Sequence, residues 1–593
     1  MINRTTKLRW RRKYRVRRRQ VEDYSQQAEE HLEKHFFKRL NRIVGVRRFV
    51  LSWLILAGLL ISITIAQIHG LSAYYQTLKP TSGGTYNEGI VGTFSNANPI
   101  FATSDVDNSV SKLIFPGLFK YNQSDQLVGD LAQSYAVDSR GLTYTVILKD
   151  NLHWQDGVPI TAADVVFTYQ MIENPDVGSP LFNDWKGVKV TEVNGNTIQF
   201  SLEEPLSSFP ETMTNGIIPK HILGNTDPLE LRASTFNTTN PVGSGPFALS
   251  EIDVQGNTPQ TYEQQIGLRA NPEYYGGKPK LDQFVVYAFN NQPQMLSSFK
   301  SGVLSGMAGL TNLPQSIQNS TTVYSYNVPL TAEVMVFFNN SQPVMSDVKV
   351  RQALVQATDE PSIINGLGYP VIAAKSPLLP FQIGYNPKTL QLTTNIIAAN
   401  QTLDQDGWVM GKNNIRYKAG QPLKFNMFTQ DNSEFDYVSS QLQQQWRKIG
   451  ADVQVFPQQP TDLQTVISTR AYDSLLYGIS IGTDPDVFAY WDSSQAQANA
   501  VPGLNLSEFK DTIADQSLEE GRTRSEAALR SIKYQSFLQE WQSQSPALAL
   551  YQPRYLYVTR GQLFGFTPTM FNVGTDRYSN VSNWEIREVR TTN

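Results

Sequence analysis

Residues 142–172 read LTYTVILKDNLHWQDGVPITAADVVFTYQMI and contain a strand pattern, a tight turn and a helix pattern in direct succession. Polar and apolar side chains alternate over residues 143–148, which predicts a strand with one buried face. The triplet at 155–157, Gln-Asp-Gly, is typical of a turn, because glycine adopts positive φ without strain. Apolar residues spaced by three and four then predict a helix over 162–172, with Thr161 as its N-cap. The segment therefore indicates a mixed α/β fold.

The rest of the chain after residue 82 continues the same alternation of short strands and helices. Residues 197–202 alternate like a strand, and residues 349–357 and 437–449 have helical spacing. With 40% hydrophobic residues in 593, the chain is long enough for more than one domain. We therefore predict an α/β body over residues 82–593, organised in at least two lobes.

Seven motifs occur in order along this body. They are Gly117-Leu118, Leu131-Ala132-x-Ser134-Tyr135, Trp154-x-Asp156-Gly157-x-Pro159, Pro241-Val242-Gly243-Ser244-Gly245-Pro246-Phe247, Asn271-Pro272-x-Tyr274-Tyr275-Gly276-Gly277-Lys278-Pro279, Phe338-Asn339 with Asp347-x-x-Val350-Arg351-Gln352-Ala353-Leu354, and Asp484-Pro485-Asp486. Together they resemble the family-5 extracellular solute-binding proteins, which serve dipeptide, oligopeptide and nickel ABC importers. Most of these residues suit turns and caps, so we expect them to serve the scaffold.

The resemblance implies a two-lobed, periplasmic-binding-protein-like α/β fold of the class with an extra inserted subdomain. The implied division is a discontinuous lobe I over 82–125, 206–325 and 551–593, an inserted subdomain over 126–205, and lobe II over 326–550. A ligand would bind in the cleft between the lobes, and hinge closure would bury it.

The resemblance also implies which residues face the ligand. One wall of the cleft is expected from the segment before the first helix, and the other from the loop that precedes Asp484-Pro485. Tyr551, where the chain returns from lobe II, is either a ligand contact or a strand residue packed in the core. The implied ligand-binding residues are Thr103, Ser104, Asp105, Tyr477, Gly478, Ile479, Ser480, Ile481, Asp484 and Tyr551.

Ile481 departs from the family pattern. Many peptide-binding members carry an Asp at this position, and that carboxylate captures the α-amine of the peptide. The preceding Trp of the family is also absent, with Gly478 in its place. Standard capture of the α-amine is therefore not expected, and a blocked, internal or non-peptide ligand fits as well. Substitute carboxylates, each of which also suits a turn or cap, are Asp105, Asp107, Asp484 and Asp486.

The first eighty residues differ from the body in charge and hydropathy. Residues 1–48 contain 16 Lys and Arg against 5 Asp and Glu, and residues 49–66 form an uninterrupted apolar run, FVLSWLILAGLLISITIA. This asymmetry predicts a basic cytoplasmic segment over 1–48, one transmembrane helix over 49–68, a linker over 69–81 and an extracytoplasmic body. A signal peptide cleaved after Ala66 is the alternative.

The expected partners follow from the resemblance and from the N-terminal charge. We expect an oligopeptide-like solute, an ABC permease with its ATPase, and membrane lipid contacted by the N-terminal helix. The ten Lys and Arg of residues 4–19, interleaved with Trp10 and Tyr14, could suit nucleic acid. Beside a membrane helix, we interpret them instead as an orientation signal that touches anionic lipid. We therefore expect no nucleic-acid partner, and we expect a monomer.

An enzymatic function is not expected. Residues 478–482 match G-x-S-x-G, but all five histidines precede them and Asp484-Pro485 stands where a helix should follow. The chain has no cysteine, no phosphate-binding loop and no H-E-x-x-H motif. We expect no catalytic residue, no metal site and no cofactor. A serine hydrolase and a membrane-tethered peptide receptor or chaperone-like surface protein without a permease are the alternative functions.

Overall fold

The computed structural model describes residues 47–592 with gaps at 257, 259–261 and 498–502, and scattered positions before residue 47. It divides into two compact units, one formed by the chain ends and the other by residues 80–587. In the first unit, helix α1 spans Arg47–Tyr75, and strand β1 (Gln76–Thr81) pairs with β24 (Arg587–Thr592). The predicted basic segment over 1–48 lies outside the described residues, apart from those scattered positions.

Helix α1 contains the apolar run that the sequence indicated. Its portion Phe49–Gln67 has a mean hydropathy of 2.4 and is long enough to cross a membrane, and none of it is buried inside the protein. The hydroxyl of Thr64 donates to the carbonyl oxygen of Leu60 at 2.7 Å, which satisfies it within the helix. An apolar N-terminal helix is thus present, and such a helix suits either an anchor or a signal sequence.

A seven-stranded mixed sheet forms the first lobe of the body. Strands β2 and β11 run parallel, as do β2 and β12, whereas the other neighbours are antiparallel. In spatial order the strands are β13 (Val323–Pro329), β23 (Arg554–Arg560), β12 (Gly306–Leu310), β2 (Thr85–Val91), β11 (Gln283–Phe289), β10 (Glu263–Ala270) and β9 (Phe247–Gln255).

A six-stranded mixed sheet forms the second lobe. Apolar residues pack on both of its faces, and the central strands β14 and β22 are buried at every residue. In spatial order the strands are β15 (Ile372–Ala373), β22 (Ala547–Gln552), β14 (Ala332–Phe338), β21 (Ser474–Ser480), β19 (Lys424–Gln430) and β20 (Asp452–Gln458).

Two antiparallel chain segments continue from one sheet into the other. Strands β13 and β23 pair in the first sheet as far as Pro329 opposite Arg554, and β14 and β22 pair in the second sheet. Between them the backbone N–H of Leu330 donates to the carbonyl oxygen of Pro553 at 2.9 Å. The predicted lobe boundary between residues 325 and 326 falls inside β13, so the sheets separate a few residues later.

Smaller sheets complete the body. Strands β5 (Ala132–Val137), β6 (Thr143–Leu148), β8 (Thr197–Ser201) and β7 (Lys189–Asn194) form an antiparallel sheet of four within residues 126–205. The buried apolar residues of this sheet belong to the same core as those of the first lobe. The other strands are β3 (Phe119–Tyr121) with β4 (Leu127–Gly129), and β16 (Val409–Met410), β17 (Arg416–Lys418) and β18 (Gln421–Pro422).

Helices cover the sheets and join the strands. The α-helices of the body are α2 (Asp105–Ile114), α3 (Ala162–Glu173), α4 (Phe182–Trp185), α5 (Phe209–Thr212), α6 (Lys220–Leu223), α7 (Gln292–Lys300), α8 (Gln315–Gln318), α9 (Val348–Gln356), α10 (Glu360–Gly366), α11 (Ile396–Gln405), α12 (Ser433–Arg447), α13 (Pro460–Thr469), α14 (Phe488–Trp491), α15 (Thr512–Arg522) and α16 (Ala527–Gln544). Single 3-10 turns lie at Leu231–Ala233, Thr235–Asn237, Ser493–Gln495, Gly574–Tyr578 and Val581–Asn583.

The strand and the helix predicted within 142–172 are both confirmed, as β6 and α3. The carboxylate of Asp164 accepts the backbone N–H of Thr161 (2.9 Å) at the start of α3 and that of Lys220 (2.9 Å) at the start of α6. The side chain of Asp164 therefore fixes the starts of two helices, which is a structural role.

The turn at Gly243 packs against the end of helix α2. A Cβ atom on Gly243 would lie 2.1 Å from the carbonyl oxygen of Ile114, so a larger residue cannot fit. Gln155 also holds the backbone of Gly243. The backbone N–H of Gln155 donates to the carbonyl oxygen of Gly243 at 2.8 Å, and the backbone N–H of Gly243 donates to Gln155 Oε1 at 3.1 Å. These two motifs thus fix the position of α2, whose first turn lines the site described next.

Candidate ligand-binding site

A cavity of about 560 Å³ opens in the first lobe beside helix α2. Its volume is within the range of small-ligand pockets. Polar lining comes from Asp105, Asn108, Ser109, Ser111, Lys112, Asp184, Thr212, Thr214, Asn215, Asn572, Thr575, Asp576 and Arg577. Aromatic lining comes from Phe115, Tyr121, Trp185 and Tyr555. Aromatic faces with scattered hydrogen-bonding groups suit a ligand that has both apolar and peptide-like parts.

The cavity rests on a buried ion pair. Arg577 binds Glu88 through two contacts, Nη2–Oε2 at 2.9 Å and Nε–Oε1 at 3.1 Å, and their side chains are 2% and 0% exposed. Burial is the largest single effect and lowers the pKa of Arg577, but the charge and hydrogen bond of Glu88, with Tyr555 and Tyr578, together raise it to well above its usual range. Tyr557 donates a further hydrogen bond to Glu88 at 2.7 Å. The charges of Glu88 and Arg577 therefore compensate each other beneath the cavity.

The first turn of α2 contains two carboxylates with different environments. Asp107 accepts hydrogen bonds from the backbone N–H of Ser95 (2.7 Å) and of Asn96 (3.0 Å), and Ser104 caps the helix by accepting the N–H of Asp107. Asp105 lines the cavity and makes no hydrogen bond or ion pair within the described part of the chain. Of the predicted wall 103–105, Asp105 is thus the residue that lines this cavity.

The predicted second wall, residues 477–481, lies in the second lobe on β21 and just after it, and does not line this cavity. Ile479 and Ile481 are 5% and 6% exposed and pack in the apolar core on one face of the six-stranded sheet. The backbone N–H of Ile481 donates to the carbonyl oxygen of Thr331 at 3.0 Å. Contact between this wall and a ligand stays a prediction.

A hydrogen-bonded cluster joins that loop to the rim of the cavity. Asp125 accepts from Thr483 Oγ1 at 2.9 Å and from Asn572 Nδ2 at 2.6 Å. Asn572 Oδ1 in turn accepts from Thr331 Oγ1 at 2.5 Å and from Thr483 Oγ1 at 3.1 Å. The cluster thus links the two lobes at the point where the chain crosses between them.

Asp484 and Asp486 follow Thr483, and each forms an ion pair with an arginine. Arg530 binds both oxygens of Asp484, at 2.7 and 2.5 Å, and the guanidinium of Arg522 lies 3.3 Å from Asp486. Ser208 of the first lobe also donates to Asp486 at 3.1 Å. These carboxylates hold the loop in place through charge-assisted bonds.

Tyr551 is fully buried in the second lobe. Its hydroxyl donates to Glu434 Oε1 at 2.7 Å, and Tyr369 donates to the other oxygen of Glu434. Arg554, the first residue of β23, stacks over the ring of Tyr369 at 3.7 Å. The core packing weighed for Tyr551 is what this structure shows, and a direct contact with a ligand stays a prediction.

Glu333 on β14 is a buried acid that the sequence did not single out. It is 1% exposed, and neither of its oxygens has a hydrogen-bond partner in the described part of the chain. Burial raises its pKa well above the usual range, so the side chain is held as the neutral acid. It stands opposite Ile479 in the sheet.

The geometry around Ser480 does not fit a nucleophile. Ser480 is the last residue of β21, and the next helix, α14, begins eight residues later, beyond Asp484-Pro485. A nucleophile elbow requires a sharp turn from strand directly into helix. His221 is engaged elsewhere, with its Nε2 at 2.7 Å from Asp156. Within the described ranges, no group of three His, Asp or Glu is placed to hold a metal ion.

The comparisons with known proteins agree with this architecture. Residues 126–500 match the family described as bacterial extracellular solute-binding proteins, family 5. The chain is 27% identical to the oligopeptide-binding protein AppA of Bacillus subtilis over 526 residues, which cover 85% of this chain and 92% of AppA. The structure of AppA in complex with a nonapeptide superposes with a TM-score of 0.66 at 25% identity, over 86% of this chain and 100% of AppA. A Brucella melitensis protein assigned as an ABC transporter peptide-binding protein is 24% identical, over 86% of this chain and 94% of its own.

The pH dependence of stability follows from two carboxyls between the lobes. Burial raises the pKa of Asp125 to about 7, with a further rise from Asp576, and burial raises the pKa of Glu211 to about 8, with further rises from Asp484 and Asp125. Above their ordinary pKa of about 4 the unfolded chain releases these protons while the folded protein keeps them. The free energy of unfolding should therefore fall between about pH 5 and pH 8, by at most about 1.4 kcal/mol per pH unit for each carboxyl.

Urea unfolding of Asp125→Asn and Glu211→Gln across this pH range tests the assignment. Each substitution removes one titrating group, so each variant should show a shallower fall than the unmodified protein. Asp150→Asn, on an exposed acid outside the cluster, is the matched control and should leave the slope unchanged. Equal slopes in all four proteins would show that these two carboxyls do not take up protons on folding.

Proposed function

The chain belongs to the bacterial extracellular solute-binding proteins of family 5, and from this premise we propose that it captures a peptide-like solute and delivers it to an ABC permease with its ATPase. Members of this family bind solutes and do not catalyse reactions, so the chain is a binding protein and not an enzyme. Its two-lobed, periplasmic-binding-protein-like α/β fold is the one expected for that role. The oligopeptide-binding relative and the relative assigned to an ABC transporter support peptide as the cargo and import as the purpose.

The observation that carries the proposal is the cavity of about 560 Å³ beside helix α2. Its lining combines aromatic faces with hydrogen-bonding side chains, and its floor is neutralised by the Glu88–Arg577 pair. Such a surface can hold a peptide backbone by hydrogen bonds while tolerating varied side chains, with water filling the remainder. Recognition of this kind fits an importer of many peptides better than a receptor for one.

We assign different roles to the residues that the family resemblance singled out. Thr103, Ser104 and Asp105 form the first wall, and Asp105 meets a positive group of the ligand directly. The loop 477–481 forms the second wall. Asp484 and Tyr551, which are bonded to Arg530 and Glu434, orient the elements that face the ligand.

Closure of two lobes is the proposed mechanism of capture. We place the first lobe at 82–125, 206–329 and 554–593, the inserted subdomain at 126–205 and the second lobe at 332–552. The hinge is then formed by Leu330-Thr331 and Pro553, where both crossing segments leave one sheet for the other. The family fold and the adjacency of these two crossings support rotation about this point.

A membrane anchor is the proposed means of retention at the cell surface. The apolar span Phe49–Gln67 and the basic residues before it support a single-pass helix with the N-terminus in the cytoplasm. The chain has no cysteine to carry a lipid, so retention at the membrane would depend on a protein segment. We propose that the tethered protein acts as a monomer and touches lipid through this helix alone.

The first prediction concerns the charge of the ligand's N-terminus. Asp105 is exposed, and an exposed ion pair is worth at most about 1 kcal/mol. Acetylating the α-amine of an Ala/Ser nonapeptide, the length bound by AppA, should therefore weaken binding by less than about tenfold. Asp105→Asn should abolish the difference between the free and acetylated peptides, and Asp150→Asn should preserve it.

Isothermal titration calorimetry of the two peptides with the unmodified protein and with each variant, six combinations in all, gives these affinities. A loss well above tenfold on acetylation would place a buried carboxylate at the amine and remove Asp105 from that role. If acetylation weakened binding equally in Asp105→Asn and in the unmodified protein, Asp105 would not be the residue that contacts the amine. Failure of both peptides to bind would contradict the proposed function itself.

The second prediction concerns topology. Protease added to intact cells should digest the body and leave a small N-terminal fragment in the membrane, because the basic segment should lie on the cytoplasmic side. The mass of the purified cell-associated protein should correspond to an uncleaved chain. A mature protein that starts after residue 66 would show that the helix is a signal peptide. A body that is digested after lysis but not in intact cells would contradict the extracytoplasmic location.

A further inference from the structure

A second cavity adjoins the first and shares one side chain with it. This cavity has a volume of about 520 Å³ and lies between the inserted subdomain and the second lobe. Asp184, on helix α4, lines both cavities. The two cavities are therefore adjacent at Asp184.

Aromatic side chains pack behind and beside Asp184. Trp185, which lines the first cavity, stacks on Tyr169 with ring centroids 3.8 Å apart, and it packs against Phe209, which lines the second. Tyr169 is 1% exposed, and its hydroxyl makes no hydrogen bond within the described part of the chain. Tyr169 lines neither cavity, so this hydroxyl lies in the packed core behind Trp185 and not in the cavity wall.

The second cavity has an apolar floor and an acidic rim. Val188, Leu202, Leu206 and Phe209 supply apolar surface. The acidic side chains of the lining are Asp184, Glu203, Glu204 and Glu519. None of these four carboxylates forms a hydrogen bond or an ion pair with another described residue.

The basic side chains of the lining do not balance this charge. Arg522 is paired with Asp486 at 3.3 Å and lies over the ring of Phe488 at 4.2 Å, so its charge is already engaged. Lys186 is the other basic residue of the lining. Four carboxylates thus face the cavity against one ammonium group, and the field inside it favours a cation.

We propose that this second cavity is a subsite for the basic side chain of a bound peptide, an arginine or a lysine, with Asp184 at its entrance. The inference rests on the proposed peptide-binding function. A long basic side chain lays its aliphatic stem on apolar surface and presents its charge to carboxylates, which matches an apolar floor and an acidic rim. Burial raises the pKa of Asp184, and a nearby cation would reverse that shift.

The second cavity is lined by residues from both sides of the cleft. Val188, Leu202 and Leu206 belong to the inserted subdomain or its junction with the first lobe, whereas Phe488 and Glu519 belong to the second lobe. A cation held there touches both sides of the cleft, so it should favour the closed arrangement. Peptides with a basic residue at the matching position would then dissociate more slowly than neutral ones.

The test compares arginine with citrulline, which has nearly the same shape and no charge. Ala/Ser nonapeptides carry one arginine at each position in turn, and a second set carries citrulline at the same positions. Calorimetry on the full-length protein in detergent should find one position at which arginine binds about tenfold more tightly than citrulline. Asp184→Asn and Glu519→Gln, on opposite sides of the cavity, should each reduce that ratio, and Asp150→Asn should not.

Each result decides between distinct conclusions. Binding of both sets with equal affinity at every position would overturn the subsite and leave the proposed function standing. A preference for arginine that neither Asp184→Asn nor Glu519→Gln reduces would place the cation elsewhere and overturn the subsite as well. Unchanged binding of the citrulline peptides by both variants shows that they are folded. No binding of any peptide would contradict the proposed function, and the subsite with it.

Discussion

A two-stranded antiparallel ribbon that runs through both sheets is the constraint on which the body depends. Strands β13 and β23 belong to the first sheet, and the same two chain segments continue as β14 and β22 in the second. The strand pairing of the first sheet ends at neighbouring positions in both segments, at Leu330-Thr331 and at Pro553. One backbone hydrogen bond joins Leu330 to Pro553 there. We propose these two adjacent crossings as the hinge about which one lobe rotates against the other.

The loops of the site are attached to this ribbon at its break. The carbonyl oxygen of Thr331 accepts the N–H groups of Ile481 and Gly482, and the N–H of Thr331 donates to Phe571, next to the cavity-lining Asn572. A small rotation at residue 331 therefore moves the second-lobe loop and the C-terminal rim of the cavity relative to each other. The polar cluster of Asp125, Thr483 and Asn572 lies beside these crossings, next to the hinge that we propose.

Local features were predictable from the sequence, and long-range partnerships were not. Strand 143–148 and helix α3 followed from periodicity, because their patterns involve neighbours in the chain. Helix α12 begins four residues before its predicted start, since Asn432 caps a polar first turn that has no apolar period. Asp107 and Asp484 appeared equivalent to Asp105, but their partners, Ser95 and Arg530, are identified by the fold alone. The lining from 572 to 577 is a loop followed by a short 3-10 turn, which has no hydrophobic period that would identify it in the sequence.

Capture by closure of the lobes is the central claim, and a distance measurement tests it most directly. The chain has no cysteine, so cysteines introduced at Val303 in the first lobe and Ile532 in the second, both exposed, can carry spin labels at known places. Pulsed electron resonance should show the inter-label distance changing by more than about 2 Å and its distribution narrowing when a tightly bound peptide saturates the protein. An unchanged distribution under saturation would mean a rigid, preformed site and would contradict the account.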